Sequence, residues 1–179
     1  MPYPLKISFI LLFMLVGMML SIPLATPPQP IHVVMPKIDM TQVTCMAKNI
    51  FHEASGEPIL GQAAVARVVL NRVSHGFAKT PCKVIYQSTT IEKETDGEPE
   101  VVKVCQFSWV CADKADPNKN SPAYVLAKQI AYDVMVNDAY KEVVPRTTLF
   151  FHNLSITPSW SYAMAKQIGN HIFYSKRNQ

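Results

Sequence analysis

Signature motifs of several enzyme classes are missing from the 179-residue sequence. It has no Gly-x-Ser-x-Gly segment, the nucleophile elbow of α/β-hydrolases, and no glycine-rich loop that could cradle a phosphate. His52-Glu53 begins like the helix of a zinc protease, but position 56 is glycine where that helix needs its second histidine. These absences argue against serine hydrolases of that fold, nucleotide-binding enzymes and zinc proteases.

Charge is also scarce, at 17% of residues, and the formal net charge is only +4. No stripe of arginine and lysine with interleaved aromatic residues is present, so we predict no nucleic acid partner. The mild positive charge would suit an anionic surface such as a cell wall or a membrane. A hydrophobic fraction of 49% fits one globular domain with an ordinary core.

The cysteines number four, and they lack the Cys-x2-Cys spacing of a zinc knuckle. We therefore predict no metal site. An exported chain would form disulfides, and we expect at least one, within Cys82, Cys105 and Cys111. A cysteine nucleophile with His152 or His171 as its base is the alternative.

Carboxylates are few enough to consider singly, since the sequence has thirteen. Only Glu53 and Glu57 lie in a setting that could perturb a pKa. Their i,i+4 spacing would place them on one helical face, but Gly56 and Pro58 interrupt the helix, so Glu57 is equally explained as a residue that holds the turn. Solvation or helix capping accounts for the others: Asp39, Glu92, Glu94, Asp96, Glu98, Glu100, Asp113, Asp116, Asp133, Asp138 and Glu142.

The N-terminal segment is read separately from the domain. After Lys6, residues 7–25 form a charge-free run of about 19 residues, close to the length of a membrane span. A cleaved signal peptide and an uncleaved signal anchor both fit residues 1–25. Proline-rich residues 26–38 read as an extended linker. The charge asymmetry places the remaining domain, residues 39–179, on the outer face of the membrane.

Hydrophobic periodicity predicts a mainly α domain of the α+β class with one small hairpin. Helices are expected at 40–55, 60–75 and 121–142, and the second is apolar enough to be the centre of the domain. Residues 89–104 read as an exposed hairpin. Thr157-Pro158 predicts a last helix that Gly169 ends. The run Gln106-Phe107-Ser108-Trp109 fits a sugar-binding wall or a half-buried strand equally well.

Glu53 stands in the last turn of the first predicted helix, whose apolar face is buried. A carboxyl group there is partly desolvated, which raises its pKa and can keep it protonated near neutral pH. A glycosidase needs such an acid to protonate a leaving-group oxygen. The plain alternative is a glutamate that is only hydrogen-bonded at a helix end.

The motifs, taken together, resemble the SleB/CwlJ cell wall hydrolases over residues 45–174. In order along the chain, the matching segments are Phe51-His52-Glu53-Ala54-Ser55-Gly56-Glu57-Pro58, Gly61-Gln62-Ala63-Ala64-Val65-Ala66, Val69-Leu70-Asn71-Arg72-Val73, Cys82-x-Val84-Ile85-Tyr86, Gln106-Phe107-Ser108-Trp109, Phe151-His152-Asn153, Pro158-Ser159-Trp160 and Ile168-Gly169-Asn170-His171-Ile172-Phe173. Phe51, His52 and Ser55 depart from the family's usual tyrosine, small residue and arginine, whereas the glutamate is retained.

This resemblance implies a lysozyme-like domain that cleaves the MurNAc–GlcNAc β-1,4 bond of peptidoglycan, as a lytic transglycosylase or a muramidase. It assigns Glu53 as the general acid and base, and it implies no metal or organic cofactor. Candidates for holding the glycan are Gln106, Ser108, His152 and Asn153. A Cys–His amidase or peptidase, and an inactive membrane-tethered wall-binding protein, are the alternatives.

Overall fold

The computed structural model describes residues 39–95, 97–160 and 162–175. The predicted signal segment, 1–25, and the predicted linker, 26–38, lie outside these residues. Among the residues described, no helix is both long and apolar enough to cross a membrane.

Five helices and two antiparallel sheets make up the described chain. The helices are α1 (Met40–Ala54), α2 (Ile59–Ser74), α3 (Pro81–Ile85), α4 (Ser108–Cys111) and α5 (Pro122–Val136). The strands are β1 (Ser88–Thr95), β2 (Glu98–Cys105), β3 (Thr148–Asn153), β4 (Ala163–Ile168) and β5 (His171–Ser175). The predicted α+β class with a small hairpin is confirmed.

Helix α2 is the centre of the domain, as its apolar sequence predicts. One side packs with α1 and α5, where Met46, Val69 and Ile130 belong to one buried cluster. Another side packs on the sheet, where Val65 and Phe173 belong to a second cluster. Burial on both sides explains why this helix lacks a polar stripe.

Polar side chains at the end of α2 fix the distance between this helix and β3. Asn71 Nδ2 donates to the carbonyl oxygens of Pro145 at 3.0 Å and Thr148 at 2.9 Å. Arg72 Nε donates to the carbonyl of Leu149 at 2.8 Å. These contacts hold β3 against the end of α2.

Strands β1 and β2 form the exposed hairpin predicted at 89–104. The chain has two disulfides: Cys105–Cys111 joins the end of β2 to α4, and Cys45–Cys82 joins α1 to α3. The expected bridge within Cys82, Cys105 and Cys111 is therefore present as Cys105–Cys111. Cys82 pairs outside that group, because α3 packs against α1 and brings it to Cys45.

The last predicted helix is wrong, because residues 163–168 form β4. Strand β5 lies between β3 and β4 in an antiparallel sheet, and Gly169 stands in the tight turn from β4 to β5 with a φ of +58°. Helix α5 is also shorter than predicted: it ends at Val136, and Asp138 and Tyr140 adopt positive φ values that an α-helix cannot contain.

Candidate active site

A cleft of about 510 Å³ opens where the end of α1 faces α4, β3 and β5. Helix α1 supplies Glu53, and Ser55 follows directly after it. Phe51 and His52 of the same helix also line the cleft. Apart from Glu53, no described residue that lines the cleft is a carboxylate. The other lining residues come from distant parts of the chain: Ser108, Trp109, Ala112, Lys114, Phe151, His152, Asn153, Ile156 and His171.

Glu53 is mostly buried in this cleft and has the electrostatic character expected of a general acid. Burial raises its pKa from the ordinary value of 4.5 to about 7, and the positive charge of Arg72 partly offsets this shift. Burial lowers the pKa of Arg72 to about 10, so this side chain remains a cation at neutral pH. Near pH 7 the carboxyl group can therefore both donate and accept a proton.

Arg72 is buried and forms no close ion pair with any described residue. It is only 4% exposed, and its Nε donates to the carbonyl of Leu149. Its guanidinium lies 5.2 Å from the ring centre of Phe107 and 5.9 Å from that of Phe150. These rings keep water away, so the charge acts on Glu53 through a medium of low polarity.

His52 and Trp109 form one wall of the cleft. Their rings stack at 4.5 Å with an interplanar angle of 20°. Trp109 is anchored from behind, since its Nε1 donates to Oδ1 of the buried Asn49 at 3.0 Å. Burial lowers the pKa of His52, which favours the neutral ring. Because the two rings lie face to face and Trp109 is buried, the indole backs the imidazole of His52, whose ring suits the apolar face of a sugar.

His152 and Asn153 form part of the facing wall, at the end of β3. The Nε2 atom of His152 lies 2.9 Å from the hydroxyl of Tyr174, and Nδ1 lies 2.8 Å from the carbonyl of Asn153. Trp160 contacts the same histidine edge-on, with ring centres 5.9 Å apart. Both ring nitrogens have partners, so the orientation of His152 is fixed.

The structure brings together Glu53, Ser108, His152 and Asn153 out of the candidates named from sequence. Gln106 instead lines a separate depression at the base of the hairpin, where its backbone N–H donates to the carbonyl of Gln87 at 2.8 Å. The run 106–109 turns into α4 at Ser108, so it is not a strand.

Sequence reasoning missed Lys114, Phe151 and His171 as cleft residues. Phe151 could have been found, since it stands beside His152 in the same motif. The histidine at 171 was considered only as the base of a cysteine, because nothing local shows that β5 lies beside β3.

Glu57 is outside the cleft lining and has partners of its own. Its carboxylate accepts hydrogen bonds from the backbone N–H of Asn170 at 2.8 Å and from Nδ2 of the same residue at 3.2 Å. These contacts connect the turn after α1 to the turn between β4 and β5.

The sequence also matches a known protein family. A sequence model described as Cell Wall Hydrolase matches residues 56–174, about two thirds of the chain. The chain belongs to this family. The match includes Ser108, His152, Asn153 and His171, and it begins just after Glu53.

Two curated proteins similar to this chain come from bacteria. A spore cortex-lytic enzyme from Bacillus cereus is 30% identical over 134 residues, covering 73% of this chain and 43% of that protein. The enzyme of the same name from Oceanobacillus iheyensis is also 30% identical, covering 73% of this chain and 40% of its own length. The chain thus spans about two fifths of the length of these relatives.

Solved structures resemble the same cell wall hydrolase domain. The catalytic domain of the Bacillus cereus SleB protein matches with a TM-score of 0.50 and 25% identity, covering 78% of this chain and 94% of that domain. The catalytic domain of the germination-specific lytic transglycosylase SleB from Bacillus anthracis matches with a TM-score of 0.51 and 25% identity, covering 78% and 98%.

Proposed function

We propose that this domain degrades peptidoglycan by cleaving the MurNAc–GlcNAc β-1,4 bond as a lytic transglycosylase, with Glu53 as its general acid and base. The observation that carries the proposal is a single, mostly buried carboxyl group, with its pKa raised to about 7, in a cleft walled by aromatic and polar side chains. The family, and the relatives named as cortex-lytic and lytic transglycosylase proteins, support the same substrate.

In the first step the protonated Glu53 gives its proton to the glycosidic oxygen, and the bond from that oxygen to the anomeric carbon breaks. The resulting carboxylate then takes the proton of the muramic sugar's own 6-hydroxyl. That oxygen bonds to the anomeric carbon and closes a 1,6-anhydro ring. No water is consumed and no second carboxylate is required, in contrast to a retaining or inverting hydrolase.

Glycan binding is assigned to the two walls of the cleft. The imidazole of His52, backed by Trp109, offers stacking to a sugar ring. Ser108 and Asn153 offer polar contacts to its hydroxyl and acetamido groups. His152, whose two ring nitrogens have protein partners, contributes contact with its ring. Gln106 lies outside this cleft, so any contact it makes with a glycan strand occurs beyond the cleft itself.

Thiol chemistry is the weaker candidate. All four cysteines are paired in disulfides, so an amidase or peptidase of the Cys–His type would first have to be reduced. Two disulfides also fit an exported protein that acts outside the cytoplasmic membrane. Anchoring in that membrane, if the N-terminal segment stays uncleaved, and the lack of a nucleic acid partner are part of the proposal.

Digestion of purified peptidoglycan tests the function directly. The wild-type protein, Glu53→Gln and the control Glu92→Gln, whose side chain is exposed on the hairpin, are incubated with the substrate, and the products are analysed by mass. We expect anhydro-muropeptides from wild type and control, and none from Glu53→Gln.

Other outcomes separate the alternatives. Ordinary reducing ends would make the protein a muramidase, and new amino groups would make it an amidase or peptidase. Binding to peptidoglycan without products would indicate a wall-binding protein. Full activity of Glu53→Gln would contradict the assignment of the acid.

A further inference from the structure

The turn between β4 and β5 is built around the carboxylate of Glu57. This side chain is 7% exposed, and its two oxygens accept hydrogen bonds from Asn170, one from the backbone N–H and one from the side-chain amide. Gly169 beside it has a φ of +58°, which favours glycine, and a Cβ at that position would displace Glu57 Oε2. The carboxylate is therefore fixed in both position and orientation.

His171 follows this turn and brings its imidazole between Glu57 and the cleft. The side chain is 5% exposed, and its Nδ1 lies 3.7 Å from Glu57 Oε1. This nitrogen is buried and has no hydrogen-bond partner among the described residues. The ring itself lines the cleft that contains Glu53. The Nδ1 atom of His171 thus faces the fixed carboxylate of Glu57. The other ring nitrogen, Nε2, is the one farther from the backbone.

The carboxylate determines which nitrogen carries the proton. A neutral imidazole has one N–H donor and one lone-pair acceptor. If the lone pair were on Nδ1 it would face the oxygen of Glu57 and repel it, whereas an Nδ1–H points its positive end at that oxygen. Burial lowers the pKa of His171, which favours the neutral ring. Nε2 is then the acceptor.

We propose that His171 is a substrate-contacting residue of the cleft, held by Glu57 with its proton on Nδ1 so that Nε2 accepts a hydrogen bond from a sugar hydroxyl. The proposal rests on the proposed function for the identity of the ligand. It gives Glu57 the role of a positioning residue that acts through His171.

Nitrogen NMR tests the tautomer without reference to activity. The protein is labelled with ¹⁵N-histidine, and the signals of His171 are identified by their loss in His171→Gln. We expect a protonated Nδ1 and an unprotonated Nε2 at neutral pH. In Glu57→Gln the amide can donate to Nδ1, so we expect the proton to move to Nε2 in a large share of the molecules. A wild-type protein with its proton on Nε2 would overturn the proposal.

Glycan binding tests the contact. Soluble glycan strands freed of stem peptides are titrated into the Glu53→Gln protein, which lacks the proposed acid. We expect the Nε2 signal of His171 to shift, and His171→Phe to raise the Kd about tenfold, the size expected for one lost hydrogen bond. His171→Gln, whose amide oxygen can accept, should restore most of the affinity. The exposed His75, changed to Gln, is the matched control.

Different results would overturn the contact made by His171 and the proposed function. An unchanged Kd in His171→Phe, or equal weakening in His171→Gln and His171→Phe with both variants folded by thermal unfolding, would overturn the contact. Failure of the wild type to cleave peptidoglycan would overturn the proposed function, while the tautomer and the titration would still decide the role of His171.

Discussion

Burial has two opposing effects on Glu53. It keeps the carboxyl group protonated near neutral pH, as a general acid requires, and it makes the ionised form unfavourable. Its raised pKa is mainly a desolvation effect, and the positive charge of Arg72 limits the size of that effect. The family model begins after this residue, so the role proposed for Glu53 rests on its position in the cleft rather than on that match.

Cleavage that depends on Glu53 as the acid should depend on pH. The active form donates a proton, so it is lost as pH rises through about 7. We expect the rate of anhydro-muropeptide release to fall about tenfold per pH unit on the alkaline side. Rates measured between pH 5 and 9, with circular dichroism to confirm an unchanged fold, check this. A rate that stays constant to pH 9 would contradict the assignment.

The second prediction concerns stability. The folded-state pKa of Glu53 lies above its ordinary value of 4.5, so the folded protein binds this proton more tightly than the unfolded chain does. The associated stability is present below pH 4.5 and is lost as pH rises through about 7. Glu53→Gln should therefore be more stable than wild type at pH 8, by about 1 to 3 kcal/mol, with little difference at pH 4.5.

Urea unfolding at the two pH values measures this difference, with Glu92→Gln as the control that should change neither. Equal stabilities of wild type and Glu53→Gln at pH 8 would mean that the carboxyl group is not desolvated. If Glu53→Gln is both inactive and more stable than wild type, the glutamate is retained for catalysis and not for stability.

Among the elements, the turn from β4 to β5 is closely constrained. Gly169 has a φ of +58°, and an added Cβ would meet the Glu57 carboxylate. We expect Gly169→Ala to destabilise the protein by at least 1 to 2 kcal/mol, about the cost of the left-handed backbone alone, and to weaken glycan binding through His171.

Gly56→Ala is the matched control for that variant, because a Cβ there would have no heavy atom within 4 Å beyond its chain neighbours. Its stability should stay within about 0.5 kcal/mol of wild type, as for most surface substitutions. Thermal unfolding of both variants makes the comparison. A harmless Gly169→Ala would contradict the close packing of this turn on Glu57.

The same elements show what sequence can and cannot predict. Helices α1 and α2 follow from local information, namely helical periodicity that Gly56 and Pro58 interrupt between them. Strand β4 was missed because Thr157-Pro158 and the spacing of Trp160 and Met164 imitate a helix start. The strand exists through pairing with β5, and tertiary pairing overrides local preference.

The site divides in the same way. Glu53 could be identified because its burial follows from the helix that carries it. His171 enters the cleft only because β5 lies between β3 and β4, and its tautomer depends on Glu57, 114 positions earlier in the numbering. Such a relation needs the sheet order, which periodicity does not contain.

At the scale of the whole molecule, the two disulfides should contribute unequally. Cys45–Cys82 joins residues 37 apart, and Cys105–Cys111 joins residues 6 apart. In the chain-entropy description, closing the longer loop stabilises the fold by about 4 kcal/mol and the shorter loop by about 2 kcal/mol. Replacing each pair by alanine and measuring urea unfolding checks the order. Equal or reversed costs would contradict it.

The hairpin of β1 and β2 has a further consequence for how this domain can vary. The chain leaves at Ser88 and returns at Cys105, which are paired neighbours, and the next pair is joined by Gln106 N–H to the carbonyl of Gln87. Because the two ends of this hairpin are adjacent, the hairpin can be lengthened, shortened or exchanged at small entropic cost. It is therefore a natural graft point, at which a foreign peptide could be displayed without disturbing the cleft.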